Sequence, residues 1–374
     1  MLRILAATRR LAPAGIPAGI PTSARALTTT PAAAAAAAAV ASARSSPAAT
    51  TTAAPALIQE VLTTAAVDRP LKNAAKFYTP GPVGPVAARS ILWSTAELSS
   101  HATALAAGLT EVGFVPGDRL VTLLPPGSPE ALVTALAAAL TRLAVVRVDP
   151  PAGGVVNIGL VADAVRRSGA VGALVWHGFT LGEGADLVGA DTDADASAEA
   201  TVVRSLVGAA VARADAVGAA GWVRSTGRPL PPLADLPSLR MVIHTGPGSV
   251  RGAVAFRNLL VYTPTAWPAT QREGGAGAAT ADDPLLLPAA SSAVVTNGEV
   301  VTRGVAMAER LGLGGDHAEV AGKVVLPLDE AAPGDALAVV VAALLRESLV
   351  VSPSYLPDAD AAGRIAQEEG AIVA

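Results

Sequence analysis

One stretch limits the fold more than any other: "VPGDRLVTLLPPGSPEALVTALAAALTRLAVVRVDP", residues 115–150. Pro116, Gly117 and Asp118 make a turn, and Leu120 to Leu124 form a short apolar strand. Ser128 and Pro129 open an apolar helix, and Ala144 to Val148 form a second strand. Strand, helix and strand within about 30 residues read as a βαβ unit. The flanks repeat the rhythm. In "WSTAELSSHATALAAGLTEVGF", Leu98, Ala102, Leu105, Ala106, Leu109 and Val112 recur at helical spacing. Ser94 and Glu97 form a capping box at the start of that helix, and Gly113 ends it. "VNIGLVADAVRRSGAVGALVWHG" predicts a helix around 158–168, a stop at Gly169 and a strand over Ala173 to Trp176.

Downstream the alternation continues. Residues 178–199 are Gly/Ala/Asp-rich and read as a loop, 200–220 as a helix, and "SLRMVIHTG" contains a strand. Residues 263–284 read as a second loop, followed by a strand at 285–287 and a helix at about 299–311. "KVVLPL" is a strand, "GDALAVVVAALL" a buried helix and "SLVVSPS" a strand. "DADAAGRIAQEEGAIVA" is a helix leading into a short final strand. The expectation is an α/β architecture with largely parallel sheets.

The core must be built from small residues, because aromatics are 3% of the 374-residue chain while hydrophobic residues are 51%. There is no Cys, which excludes disulfides, thiolate metal sites and a Cys nucleophile. Residues 1–59 carry Arg3, Arg9, Arg10, Arg25 and Arg44 but no acid; the first is Glu60. An Arg-bearing, acid-free, Ser-rich leader is the pattern of an organelle transit peptide. The reading is a mitochondrial transit peptide and low-complexity linker over 1–56, with chloroplast as the rival, and one domain over 57–374. Without the five leader arginines, 22 basic residues face 31 acidic ones, a net of −9. Nucleic acid is a poor partner for such a chain. No apolar run reaches the length of a spanning helix; the nearest, 131–141 and 336–345, are ended by Arg142 and Arg346.

Motifs that carry chemistry are scarce. His101, His177, His244 and His317 show no metal spacing and no Gly-x-Ser-x-Gly neighbour. His101 sits inside a helix as a structural residue and His317 in a polar turn. His177 and His244 end strands, where ligands often bind in open α/β sheets. "HTGPGSVRGA" (244–253), with Arg251, could hold an anion on backbone N–H groups but lacks a phosphate-loop Lys. Asp191, Asp193 and Asp195 alternate as in a calcium loop. The required Gly and Glu are replaced by Ala196 and Val202, so a solvated acidic loop is the better reading.

The stretch from "WSTAELSS" to "VVRVDP" closely resembles the N-terminal region of AMP-forming acyl-CoA synthetases. These belong to the adenylating superfamily that includes luciferases and peptide-synthetase adenylation domains. "LPSLRMVIHTG" and the segment from "VVTRGVAMAERLGL" to "EEGAIV" follow in the family's order, so the resemblance covers about 57–374. It implies a layered αβαβα fold, like the N-terminal part of the synthetase large domain. The family's reaction needs a Tyr-Thr-Ser-Gly-Thr-Thr-Gly-x-Pro-Lys-Gly loop, whose N–H groups, hydroxyls and Lys hold ATP phosphates. Collinearity places it inside "DDPLLLPAASSAVVTNGEVV" (282–301), where Pro288 to Ser292 offer neither Gly nor Lys. The Gly-rich turn at 244–253 lies upstream of that position and is the weaker candidate.

Other family positions also depart. The Thr-His-x-Asn continuation stands as Thr296, Asn297, Gly298, Glu299. The Pro-Leu-Phe-His-x-x-Gly motif stands as Pro327, Leu328, Asp329, Glu330, Ala331, Ala332, Pro333, Gly334. The family's later motifs and its mobile C-terminal domain fall beyond Ala374, so the chain reads as a truncated domain. The resemblance therefore implies a pseudoenzyme with no catalytic, cofactor-binding or metal-binding residues and no cofactor. The expected role is a structural or accessory subunit of a mitochondrial assembly, with a respiratory-chain complex or ATP synthase favoured. Its expected place is the matrix or the matrix side of the inner membrane. Its partners would be other protein subunits, through which it could reach the membrane periphery. Two alternatives stand: a non-catalytic module that holds an acyl or nucleotide ligand, and a synthetase half completed by a partner chain.

Overall fold

The computed structural model describes residues 55–79, 89–125, 127–148, 155–156, 158–175, 180–181, 206, 233, 235–246, 250, 252–261, 279–289, 293–313, 322–325, 334–352 and 361–373. All lie in one compact unit, Pro55–Ala374. The expected leader lies outside the described residues except for Pro55 and Ala56.

Helix α1 (Ile58–Asp68) precedes strands β1 (Asn73–Thr79) and β2 (Arg89–Ser94). Helix α2 (Thr95–Glu111), β3 (Arg119–Leu123), α3 (Pro129–Thr141) and β4 (Ala144–Arg147) form the expected βαβ region. Then come β5 (Val155–Val156), α4 (Ile158–Ser168), β6 (Gly172–Val175), β7 (Thr180–Leu181), β8 (Met241–His244) and β9 (Val254–Ala255). A single 3₁₀ turn, Phe256–Leu259, follows. The last described elements are β10 (Pro284–Pro288), β11 (Val295–Thr296), α5 (Asn297–Arg310), β12 (Lys323–Val325), α6 (Asp335–Leu345), β13 (Leu349–Ser352), α7 (Ala361–Glu369) and β14 (Ile372–Val373).

Two sheets organise these elements. One has the order β14-β12-β13-β1-β2 and the other β11-β10-β4-β3-β6-β8-β9. Each is parallel apart from one antiparallel edge strand, β2 or β11. Parallel sheets need cover on both faces, and the burial shows how it is supplied. Along β3, Leu120 and Leu124 enter the main core while Val121 and Leu123 enter a second cluster with Val161 and Val165 of α4. The main core joins Phe77, Val324 and Val350 of one sheet to Leu120, Val145 and Ile243 of the other, through α1, α2, α3, α5 and α6. On the far side of the five-stranded sheet, Val351 packs on Ile365 and Ala366 of α7. The layers are therefore α4, sheet, five helices, sheet, α7: an αβαβα fold.

Local chemistry explains the boundaries. Ser94 Oγ accepts from the Glu97 N–H at 3.2 Å while the Glu97 carboxylate accepts from the Ser94 N–H at 2.8 Å, completing the capping box. Ser128 caps α3 with Pro129 at its first turn. Gly113, at φ +96, turns the chain out of α2 as expected.

The structure also corrects the reading. Thr180 and Leu181, expected in a loop, pair with Val155 and Val156 as a two-stranded parallel sheet. Two-residue strands are too short to show a period. Helix α5 starts at Asn297, two residues early. Within 200–220 only Leu206 is described, helical and buried. No helix among the described residues is long and apolar enough to cross a membrane.

Helix α7 is also tied to its sheet by charge. Glu369, in its last turn, accepts from Lys76 Nζ at 2.5 Å, Lys323 Nζ at 2.7 Å and the Tyr78 hydroxyl. A carboxylate at a helix C-terminus is unfavourable, and these donors outweigh that. Hydrogen bonds from Lys323, Lys76 and Tyr78 hold the Glu369 carboxyl at a pKa of about 2, against burial, which pushes it up. A depressed carboxylate pKa contributes stability above the unfolded value, lost as pH falls through the folded one. Wild type should therefore lose about 2–3 kcal/mol from this group between pH 4.5 and pH 2. In urea titrations across that range, the Glu369→Gln variant should lack this contribution, so the stability gap to wild type closes on acidification. A gap that stays constant would show that the clamp carries no linkage.

Candidate functional site

Strand β10 brings Leu285 and Leu286 into the main core and lies parallel to β4, with Leu287 beside Val146 and Pro288 beside Arg147. The chain then reverses. Strand β11 runs antiparallel to β10, with Leu286 opposite Val295 and Pro284 opposite Thr296. The expected passage from strand to helix is thus a hairpin first and a helix second. Residues 289–294, Ala-Ala-Ser-Ser-Ala-Val, connect its arms, and Ala290, Ser291 and Ser292 lie outside the described residues. The Ala289 N–H donates to the Arg147 carbonyl at 3.0 Å, holding the exit of β10 against the sheet.

Among the described residues around this hairpin, Thr296, Asn297 and Asp283 hold elements together. Thr296 caps α5 by accepting from the Glu299 N–H at 3.2 Å. Asn297 is the residue that the resemblance in sequence sets against a family His. It is 2% exposed, and its Oδ1 accepts from the Ile58 N–H at 3.0 Å, 239 residues away, at the start of α1. Asp283 accepts two bonds from the Arg142 guanidinium, at 2.9 and 3.0 Å, and one from the Thr280 N–H at 2.7 Å. Burial raises the Asp283 carboxyl, but these bonds and the Arg142 charge outweigh it and hold the pKa below the usual carboxylate value.

The two described histidines, His101 and His244, lie on different elements. His101 lies on α2, its ring 4.6 Å from that of Trp93, and burial lowers its pKa. His244 ends β8 and is fully buried. His177, His317, Arg251, Asp191, Asp193 and Asp195 lie outside the described residues. Among the described residues, no group of three His, Asp or Glu side chains could hold a metal ion.

A cleft that the sequence did not signal opens beside the hairpin. Its volume is about 80 Å³, and it lies between α3, α6 and the C-terminal ends of β3, β4 and β10. Its floor carries Thr122 and Arg147, register partners on adjacent strands. Its apolar walls include Ala131 and Ala135 of α3, Leu286 and Val340. Thr134 of α3 also lines it; this residue is 1% exposed and its hydroxyl has no hydrogen-bond partner. A buried hydroxyl left unsatisfied costs about 1–3 kcal/mol. The nearest thing to a signal was a polar residue inside the apolar run "ALVTALAAAL".

No family model matches this chain, and no curated protein matches it by sequence. Solved structures do match in fold. A candidate long-chain-fatty-acid CoA ligase from Rhodopseudomonas palustris CGA009 superposes with a TM-score of 0.53 at 16% identity, over 84% of this chain and 61% of that one. MbtA from Mycobacterium smegmatis gives 0.51 at 19%, over 84% and 47%. The acetoacetyl-CoA synthetase of Streptomyces lividans gives 0.50 at 21%, over 84% and 41%. The chain thus spans less than two thirds of the length of each protein. These superpositions show that the chain has the fold of the N-terminal part of an AMP-forming acyl-CoA synthetase.

Proposed function

We propose that this protein is a non-catalytic structural or accessory subunit of a mitochondrial multiprotein assembly, built on an acyl-CoA-synthetase-like scaffold. The observation that carries the reading is the β10–β11 hairpin. Its connection, residues 289–294, contains no Gly and no Lys. Adenylation must stabilise charge on three phosphates and align a carboxylate for in-line attack. Two serines and backbone N–H groups alone are a weak substitute for a glycine-rich loop with its lysine. Asn297 adds support, because the position of the family's His is here occupied by a cap on α1. The leader supports mitochondrial import, to the matrix or the matrix side of the inner membrane. The acidic remainder favours protein partners over nucleic acid, with a respiratory-chain complex or ATP synthase as the preferred setting.

Two measurements test this. The purified chain should show no ATP–pyrophosphate exchange above background with acyl substrates of any chain length. In native mitochondrial extract it should migrate far above the mass of the free chain, with partners identified by mass spectrometry. A free monomer that catalyses exchange would sink the proposal.

A further inference from the structure

An edge strand presents backbone N–H and C=O groups that can pair with another chain. Among the described residues, three of the four edges of the two large sheets are blunted by length: β14, β9 and β11 have two residues each. Strand β2, Arg89–Ser94, is the exception, with six. On one side it pairs with β1 from end to end, Asn73 opposite Ser94 and Thr79 opposite Arg89. On its other side it has no strand partner among the described residues. The usual protections of an edge are missing from it. Ser90 to Trp93 include no charge and no Pro. The one register shift falls at the end of the pair, between Asn73 and Ala75 of β1.

Both faces of this strand expose apolar side chains. Ile91 and Trp93 lie opposite Phe77 and Ala75, which are in the main core, so they point to the inner face. Leu92 lies opposite Lys76 and points to the outer face. Trp93 packs on the core, but Ile91 is 41% exposed and Leu92 45%. A strand added alongside would cover both. The sequence selects which strand. Ser90-Ile91-Leu92-Trp93-Ser94 is a palindrome in polarity. A two-fold axis perpendicular to the sheet pairs identical strands antiparallel and keeps each side chain on its own face. Of the registers centred on Ile91, Leu92 or Trp93, only that on Leu92 matches like with like. It sets Leu92 against its own counterpart, Ile91 against Trp93 and Ser90 against Ser94. Arg89 then faces Thr95, so no like charges meet across the pair.

We propose that β2 is a self-association surface: two copies of this chain pair their β2 strands antiparallel about a two-fold axis at Leu92, which joins their five-stranded sheets into one. Backbone hydrogen bonds supply the affinity, and the Leu92 and Ile91–Trp93 contacts fix the register. An interface built on one strand falls below the usual size of about 1,600 Å². The dimer is therefore weak and reversible, and its population rises with protein concentration. The pairing uses neither the β10–β11 hairpin nor the cleft beside α3, and it does not depend on the accessory role proposed above.

Sedimentation velocity of the full-length chain over a concentration series should show a reversible monomer–dimer equilibrium. Leu92→Lys and Leu92→Glu each set like charges across the axis and should weaken it at least about tenfold. An equimolar mixture of the two sets Lys against Glu and should regain the wild-type dissociation constant to within about threefold. Circular dichroism verifies that both variants are folded. Because the chain has no Cys, Leu92→Cys supplies a second reading. Paired residues on antiparallel strands have Cα atoms about 4.5–5.5 Å apart, within the span of a disulfide. Mild oxidation should therefore join two chains through residue 92. Leu160→Cys on α4, where the wild-type leucine is 42% exposed, is the control and should cross-link far more slowly. A chain that stays monomeric at every concentration, as when a different protein or another part of this chain holds the edge, would overturn the proposal. So would a dimer that either folded variant leaves unchanged, a mixture that regains nothing, or equal cross-linking of Leu92→Cys and Leu160→Cys.

Discussion

Replacing Gly108 by alanine should destabilise the protein by about 3 kcal/mol or more, although alanine is the better helix former. Gly108 lies in α2, where the 3₁₀ turn 256–259 crosses it. A Cβ placed there would sit 1.8 Å from the Leu259 carbonyl oxygen and 2.6 Å from its carbon. No rotamer change relieves a clash with backbone, so helix and turn must part. Leu259, 2% exposed, would lose its cover, and the bond from the Val261 N–H to the Ala104 carbonyl at 3.2 Å would break. Exposing such a leucine costs about 2 kcal/mol, against about 0.5–1 kcal/mol gained in helix propensity. Gly363 is the contrast. It lies exposed in α7, and a methyl group added there would meet nothing within 4 Å, so Gly363→Ala should be neutral or slightly stabilising. Denaturant midpoints of the two variants measure the difference. Equal midpoints would mean that α2 and the turn do not touch as described.

Asn297→Ala should cost about 2 kcal/mol. Its carboxamide serves an N–H at the start of α1 from inside the core, where water cannot replace it. Truncation leaves a buried donor without its partner. Asn297→Asp keeps an acceptor at that place, and its negative charge faces the positive end of α1, so it should retain most of the stability. Because the residues paired by this bond are 239 apart, the loss should also appear as faster amide exchange in the first turn of α1. Exchange unchanged there in Asn297→Ala would show that the cap is dispensable. Together these variants separate the two jobs a residue at 297 could have. A capping role changes stability, and a catalytic one would change turnover in a protein expected to have none.

Much of the fold was legible because its signals are local. The 3.6-residue period of α2, the Ser94–Glu97 capping box, the Ser128–Pro129 opening of α3 and the apolar runs of β3, β4 and β8 are all readable within a few residues. The hairpin was not. Strand β11 is two residues long, and its identity comes from pairing with Pro284 and Leu286, which sequence spacing does not encode. The pair β5 and β7 escaped for the same reason.

The cleft illustrates the division most clearly. Sequence alone determines that β3 and β4 alternate their side chains, so Thr122 shares a face with Leu120, and Arg147 with Val145. It also determines that 289–294 is too poor in Gly and Lys to resemble a phosphate loop. Only the tertiary structure decides that Thr122 and Arg147 become neighbours, since this depends on strand register. It alone decides that Thr134 faces them unbonded, since this depends on how α3 and α6 pack over the strand ends. Local propensity and period are properties of adjacent residues. A site is a property of residues that packing brings together, and packing is decided by the whole core at once.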